Sequence, residues 1–542
     1  MSDSTQPDLE SLVAVHGGVA FGIPSTGGAM PLRAGDPRLN IVLSDVQLHA
    51  GRIRGGELFA ALAGHRVDGW RYAPDALERG ASVVLSAPDR SIEALRRRAA
   101  RSGLDLSTRV LWVHPRAREI AGEVAADVHG HPVESLAMAG VTGTNGKTSV
   151  CHIASQLLEG SGMRPAVIGT AGHRLMSGRG MVQLSAVNTT PDATELHRLF
   201  GRHLAAGGDS ALMEVSSHGL VQGRLAGIKL RAAAFTNLTR EHLDYHGTME
   251  DYLLAKARIW DCLEPGGVAV IFGHSESSRK MRQLAMDAGA RVVTVDAERG
   301  ADLMARNIER SRGGASFELV GMGIPARRVT LPLRGDHNIE NALVAAALAR
   351  SLGVGADAVA HGLASIASPP GRLERVSDPS ARGDGAIDVL VDYAHSPDAI
   401  ERVLGSLRMD IEASESVDAR LICVFGCGGD RDRGKREPMG RAAGRIADVS
   451  IVTSDNPRSE DPSAIANAVV RGIDQESGRR IVELDRRRAI ERALEIARPG
   501  DVVLIAGKGH ENTQTIGDAA LPFDDRVVAE ELLRAKANGR NA

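Results

Sequence analysis

The sequence predicts an α/β protein of about three domains. Its 542 residues exceed what a single hydrophobic core spans. Short apolar runs alternate with helical patterns from Ile41 onward. Several of these runs end in loops dense in Gly, His, Asp, Asn and Arg, at the strand ends where open α/β sheets bind ligands.

Residues 1–40 are Gly/Pro/Ser-rich and lack sustained periodicity, which predicts a flexible N-terminal extension. From 41 to 133, the runs Val83–Leu85 and Val110–Val113 alternate with a helical pattern at Ser91–Ala100, giving a small α/β domain. A second domain spans 134–370. Its expected strands are Ser135–Val141, Ala166–Ile168, Ser210–Val215, Ala232–Thr236 and Val268–Phe272, and its expected helices include Ser149–Glu159 and Asn338–Ser351. Pro369-Pro370-Gly371 marks a hinge. The third domain, 371–542, carries strands Ile387–Val391, Arg420–Phe425, Val449–Thr453 and Val502–Ala506, with an acidic surface stretch at Ile411–Asp418.

Hydrophobic residues make up 43% and charged residues 25%, as in ordinary soluble proteins, and the net charge of −3 gives no field for nucleic acid or an anionic membrane. The start of the chain is polar and acidic and no apolar stretch reaches ~18 residues, which predicts a cytoplasmic protein. Cys151, Cys262, Cys423 and Cys427 are too few for a disulfide framework. Cys423 and Cys427 read as buried strand-end thiols, because zinc needs more ligands.

The run Gly140-Val141-Thr142-Gly143-Thr144-Asn145-Gly146-Lys147-Thr148-Ser149 follows a strand and opens a helix. Its glycines let N–H groups turn toward a phosphate, and the helix N-terminus adds a favourable dipole. Lys147 would reach the β/γ-phosphates, and the Thr148 hydroxyl would ligate Mg²⁺. The general phosphate loop needs glycine at position 141, where valine stands, so this is a variant. Glu214 ends the strand at Ser210–Val215, where a carboxylate near such a loop can hold Mg²⁺; alone, it reads equally as a surface residue. His242 lies in a segment dense in His, Asp and Glu, and beside the loop and Glu214 it reads better as a metal ligand than as a structural histidine. Lys256, within the helical stretch Met249–Trp260, reads as a solvent-facing lysine.

Nine runs in order resemble the Mur ligase family. They are GVTGTNGKTS, NTTPDA from Asn188, MEVSSHGLVQGRL from Met213, NLTREHLDYHGTMEDYLLAK from Asn237, PGRLERV from Pro370, DYAHSPDA from Asp392, FGCGGDRDRGKR from Phe425, DNPR from Asp455 and GKGHE from Gly507. The resemblance implies a three-domain architecture: a nucleotide-sugar-binding N-terminal domain, a central P-loop-type ATPase domain and a Rossmann-like C-terminal domain. It implies an ATP-dependent ligase of peptidoglycan precursor synthesis, similar to members that add meso-2,6-diaminopimelate to UDP-MurNAc-L-Ala-D-Glu. A monomer, with Mg²⁺ as cofactor, follows from the same likeness.

The roles it implies are specific. Gly143, Thr144, Asn145, Gly146, Lys147, Thr148 and Ser149 match the ATP loop. Glu214 and His242 match Mg²⁺ ligands, and Lys256 matches a lysine carbamylated to N6-carboxylysine that bridges metal ions. Thr189, Thr190, Ser216, Gln222 and Arg224 match UDP-MurNAc-dipeptide contacts. Asn338 and Asn341 match adenine contacts, and Arg372, Asp392 and His395 match ATP-side residues delivered by the C-terminal domain. Asp455-Asn456-Pro457-Arg458 matches the motif selecting diaminopimelate, with Arg431, Gly507 and Glu511 as further contacts. Arginine suits that task because it clamps a carboxylate bidentately. His49-Ala50-Gly51, the segment around Phe272–Ser275 and Gly335-Asp336-His337-Asn338 depart from the family pattern, which leaves the uridine and adenine contacts open. The alternatives are a lysine-adding Mur ligase, a folylpolyglutamate-synthase-like ligase, or, in another class, a phosphate-loop ATPase, nucleotide kinase or silent scaffold.

Overall fold

The computed structural model describes all residues except 1–5, 24–29, 65–66, 91, 179, 298–299, 312, 377–386, 414–417, 475–477 and 541–542. Three α/β units follow one another along the chain, each built on its own sheet.

The first sheet has six strands. Val46–Gln47, Leu58–Ala60, Val83–Ser86 and Val110–Val113 run parallel, and Val19–Gly22 pairs antiparallel with Val110–Val113. The helix Leu9–His16 buries Leu9 and Leu12 in the same core. This corrects the expected flexible extension: part of residues 1–40 forms a helix, the edge strand Met30–Pro31 and, inside it, the strand Val19–Gly22. All four of its residues pair with a strand about 90 residues away, with Trp112 opposite Ala20.

The central sheet has eleven strands. Its middle is parallel, with Ala137–Thr142 flanked by Ser210–Glu214 and Leu230–Phe235. All six residues of Ala137–Thr142 are buried, because helices cover both faces of the sheet. The helices Lys147–Gly160 and Asp336–Ser351 share one core layer, and Ala193–Ala205 and Glu276–Asp287 help form the other. Asp336–Ser351 is apolar around most of its circumference, as a buried helix must be. An antiparallel meander, Leu303–Ser311, Gly314–Gly321 and Ile324–Leu331, ends the sheet.

The third sheet orders Glu374–Val376, Asp388–Asp392, Val502–Ala506, Leu421–Phe425, Val449–Val452 and Arg479–Val482, parallel after the first strand. A separate hairpin, Thr513–Ile516 and Ala519–Pro522, follows it. The expected acidic stretch at Ile411–Asp418 begins inside the helix Pro397–Glu412, where Ile411 is buried; residues 414–417 lie outside the described ones. Among the described residues, no helix is long and apolar enough to cross a membrane. In the central and third sheets, the loops with the candidate residues leave the carboxyl ends of adjacent parallel strands.

Candidate active site

The phosphate loop is braced by the neighbouring strand. Asn145 N–H donates to Asn237 Oδ1 at 3.0 Å, and the Thr236 hydroxyl donates to the Asn145 carbonyl at 2.6 Å. Gly143 has φ +146°, and a β-carbon there would collide with Thr236 Oγ1, so the position requires glycine. Lys147 folds back on its own loop, donating to the carbonyls of Gly143 at 3.0 Å and Thr144 at 2.9 Å. Burial lowers its pKa, and the Glu214 carboxylate acts in the opposite direction.

Glu214 is buried at the end of its strand. Its Oε1 accepts from the Thr148 hydroxyl at 3.0 Å and from Thr170 N–H at 2.8 Å, and its Oε2 accepts from the Thr170 hydroxyl at 3.1 Å. A carboxylate and a hydroxyl touching at the mouth of a phosphate loop are hard oxygen donors. That set fits Mg²⁺, which takes one or two carboxylates and fills its shell with phosphate and water. His242 sits at positive φ at the start of a short helix, its ring edge-on to His218 with centroids 4.9 Å apart. Desolvation lowers its pKa, which favours the neutral form that metal ligation by an imidazole requires. Among the described residues, no three His, Cys, Asp or Glu side chains converge on one point, so Glu214 and His242 are not part of a prebuilt protein cage.

Lys256 overturns its surface reading. It is 1% exposed, and its Nζ donates to the Gly143 carbonyl at 2.8 Å, the same oxygen that Lys147 uses. The Tyr252 ring lies 4.4 Å from the Nζ. Burial, then the nearby Lys147 charge, drive its pKa well down. Sequence spacing could not show this, because the acceptor lies 113 residues away.

Four residues matched to the nucleotide sugar form one network. The Thr190 hydroxyl donates to the Glu214 carbonyl at 2.9 Å and accepts from Ser216 N–H at 2.9 Å. Arg224 donates to the Thr190 carbonyl at 2.7 Å and to Gln222 Oε1 at 2.8 Å. Thr189 joins through Thr170, hydroxyl to hydroxyl at 3.0 Å. On the other side of the loop, Asn341 lies against Gly146 and donates to Asn338 Oδ1 at 3.2 Å.

The third domain closes on this centre. Arg372 stacks on the Tyr393 ring at 4.8 Å and reaches the Thr148 hydroxyl at 3.5 Å. Asp392 is buried, accepting from the N–H groups of Leu373 at 2.8 Å and Ala394 at 2.7 Å. His395 bonds the Tyr393 carbonyl through Nδ1 at 2.9 Å, and Lys435 donates to the His395 carbonyl at 2.8 Å. Beyond them, the DNPR and GKGHE loops meet. Asn456 Nδ2 donates to Glu511 Oε2 at 2.9 Å, and Arg458 Nη1 to the Gly429 carbonyl at 2.6 Å. Gly507 N–H donates to the Asp392 carbonyl at 3.0 Å, and Asp455 and Asn456 are buried. Pro457 packs its carbonyl against Gly429, and Arg431 stays exposed near Gly428.

Family models match all three units: the Mur ligase family catalytic domain at 45–139, the Mur ligase middle domain at 141–349 and the Mur ligase glutamate ligase domain at 371–509. The chain belongs to the Mur ligase family. This Mur ligase is 41% identical, over 89% of its length and 92% of the relative's, to the UDP-N-acetylmuramoyl-L-alanyl-D-glutamate–2,6-diaminopimelate ligase of Solibacter usitatus (strain Ellin6076). The enzyme of the same name from Brucella melitensis biotype 1 is 40% identical over 93% of this chain and 96% of its own. A solved structure titled as that ligase superposes with a TM-score of 0.66 at 32% identity, covering 98% of this chain and 99% of its own.

Sequence reasoning missed several supports of the site in this Mur ligase. Thr170, Thr236, Asn237, Tyr393 and Lys508 hold functional groups in place. Asn237, Tyr393 and Lys508 carried a signal, each standing in a matched run just after a strand, whereas Thr170 and Thr236 stand in none of the matched runs.

Proposed function

We propose that this Mur ligase joins meso-2,6-diaminopimelate to UDP-MurNAc-L-Ala-D-Glu, with ATP converted to ADP and phosphate. The observation that carries the reading is the meeting of the Arg458 and Glu511 loops, which offers a cation and an anion at one end of the site. The distal end of diaminopimelate carries both a carboxylate and an ammonium, whereas L-lysine carries only the ammonium. Arg458 is therefore assigned to the distal carboxylate and Glu511 to the distal ammonium.

In this reaction, the D-Glu carboxylate attacks the γ-phosphorus of ATP, ADP leaves, and an acyl phosphate forms. The amine of diaminopimelate then attacks the acyl carbon, and phosphate departs as the amide forms. Lys147 exchanges the loop carbonyls for phosphate oxygens and offsets charge on the transferring group. Thr189, Thr190, Ser216, Gln222 and Arg224 hold the UDP-MurNAc-dipeptide, and Asn338 and Asn341 orient adenine. Thr148, Glu214, His242 and a carbamylated Lys256 would hold Mg²⁺, which supplies positive charge beside the phosphates. Carbamylation suits Lys256 because burial lowers its pKa and so favours the neutral amine, the form nucleophilic toward carbon dioxide. Arg372 on Thr148 links closure of the third domain to the nucleotide. Consumption of ATP and a nucleotide-linked sugar supports a cytoplasmic setting, and the chain acts as a monomer in this reading.

The test is phosphate release with UDP-MurNAc-L-Ala-D-Glu and ATP, with meso-diaminopimelate or L-lysine as the amine. Release with diaminopimelate alone supports reaction and specificity together. Equal release with lysine removes the role given to Arg458, and release with neither removes the reaction.

A further inference from the structure

Lys508 belongs to the GKGHE loop and reaches toward the DNPR loop, and its side chain is 0% exposed. Its Nζ donates to the Thr513 carbonyl at 2.6 Å, to Glu511 Oε2 at 3.3 Å and to Asn456 Oδ1 at 3.4 Å. Three donors thus meet three acceptors from two chain segments, 511–513 and 456. Asn456 Oδ1 also accepts from Thr515 N–H at 2.9 Å, which fixes the amide so that its Nδ2 donates to Glu511 Oε2 at 2.9 Å. Both side-chain donors therefore converge on one oxygen of Glu511, whose side chain remains 34% exposed. The fold alone does not account for the ammonium, since apolar residues of similar volume often replace buried ion pairs at no cost.

We propose that Lys508 is a positioning residue for amino-acid selection: it clamps Oε2 of Glu511, directly and through Asn456, and so aims Oε1 at the distal ammonium of the incoming amino acid. The inference rests on the diaminopimelate reading of the site and adds to it a residue that acts only through Glu511. Lys508 touches no substrate atom in this scheme; it sets the rotamer of the group that does.

The experiment compares meso-diaminopimelate with 2-aminopimelate, which keeps the reacting amine and distal carboxylate but lacks the distal ammonium. Phosphate release is measured for the wild type, Lys508→Met, Glu511→Ala and the double variant. The wild type should prefer diaminopimelate. Lys508→Met should cut that preference by about 10–100-fold, the loss expected from one charge-assisted hydrogen bond, through KM for the amino acid. KM for ATP and kcat/KM for 2-aminopimelate should stay within about threefold. In the Glu511→Ala background, the same substitution should leave the preference unchanged. An equal loss with both amines, or the same loss without Glu511, would overturn the inference. Should Lys508→Met not fold, Lys508→Gln, which keeps a donor, takes its place; failure of both to fold makes Lys508 a folding residue and overturns the inference. A wild type inactive with diaminopimelate would overturn the functional reading itself, a result distinct from the others.

Discussion

Gly169 makes a direct test of the Glu214 assignment, because it lies outside every recognised motif. A β-carbon at this position would stand 2.7 Å from Glu214 Cδ and 2.9 Å from Cγ, and closer still to Oε1. The approach involves the body of the side chain as well as its tip, so Gly169→Ala should force the carboxylate to rotate away. The Thr148 hydroxyl and Thr170 N–H then lose their shared acceptor in a buried site. Each such loss costs about 1–2 kcal/mol, so two cost about 2–4 kcal/mol, or roughly 30–1,000-fold in rate or metal affinity. Phosphate release titrated with Mg²⁺ should show a raised half-saturation for the metal and partial recovery of rate at high concentration. KM for the amino acid should move little. Gly178→Ala, where a β-carbon meets nothing within 4 Å, is the control. Activity of Gly169→Ala within threefold of wild type at limiting Mg²⁺ would refute the assignment of Glu214 to the metal.

Three further predictions probe other parts of the molecule. Lys256→Ala should lower the rate by at least about 100-fold, with partial recovery on adding short carboxylic acids that replace a carbamate; full activity without them would return Lys256 to a packing role. Arg486 and Asp525 form an ion pair with both side chains 0% exposed, so Arg486→Met should cost about 3–5 kcal/mol in unfolding experiments. Arg486→Met combined with Asp525→Leu should recover more than half of that loss, and no recovery would show that the arginine's bonds to the Ala506 and Ser454 carbonyls dominate. Burial raises the pKa of Asp410 to about 6, in a setting that includes Arg334, Asp336, Arg310 and Asp388. With the folded value above the ordinary 3.8, the associated stability is present below that value and lost as pH rises through about 6. Asp410→Asn should therefore melt higher than wild type at pH 8, by about 1–2 kcal/mol after allowance for solvent screening, and differ less at pH 5. A difference independent of pH would refute it.

The central chemistry was legible because it is local. A strand, a glycine-rich turn and a helix in order define the phosphate loop, and residues 140–149 fold that way. The C-terminal strands were also legible, since buried parallel strands read as continuous apolar runs. Long-range partners decided what was not. Val19–Gly22 pairs with residues 110–113, some 90 positions away, and the buried Lys256 finds its acceptor in the Gly143 carbonyl, 113 positions away. The helical stretch expected to reach Trp260 ends as an α-helix at Ala257 and tightens into a 3₁₀ turn through Cys262. Lys508 looks like any other lysine in a glycine-rich loop until the segments at 456 and 513 enclose it.

The hairpin after the GKGHE loop has a consequence for re-engineering. Arg458, at φ 51°, donates its backbone N–H to the Thr515 carbonyl at 3.1 Å and accepts from Gly517 N–H at 2.8 Å. The arginine's main chain is thus stitched to an antiparallel arm encoded some 55 residues downstream. A graft that exchanged only Asp455–Arg458 for the loop of a relative with another substrate would set new side chains on an anchor shaped for the old ones. Residues 455–458 and 507–522 form one cassette, to be transplanted together.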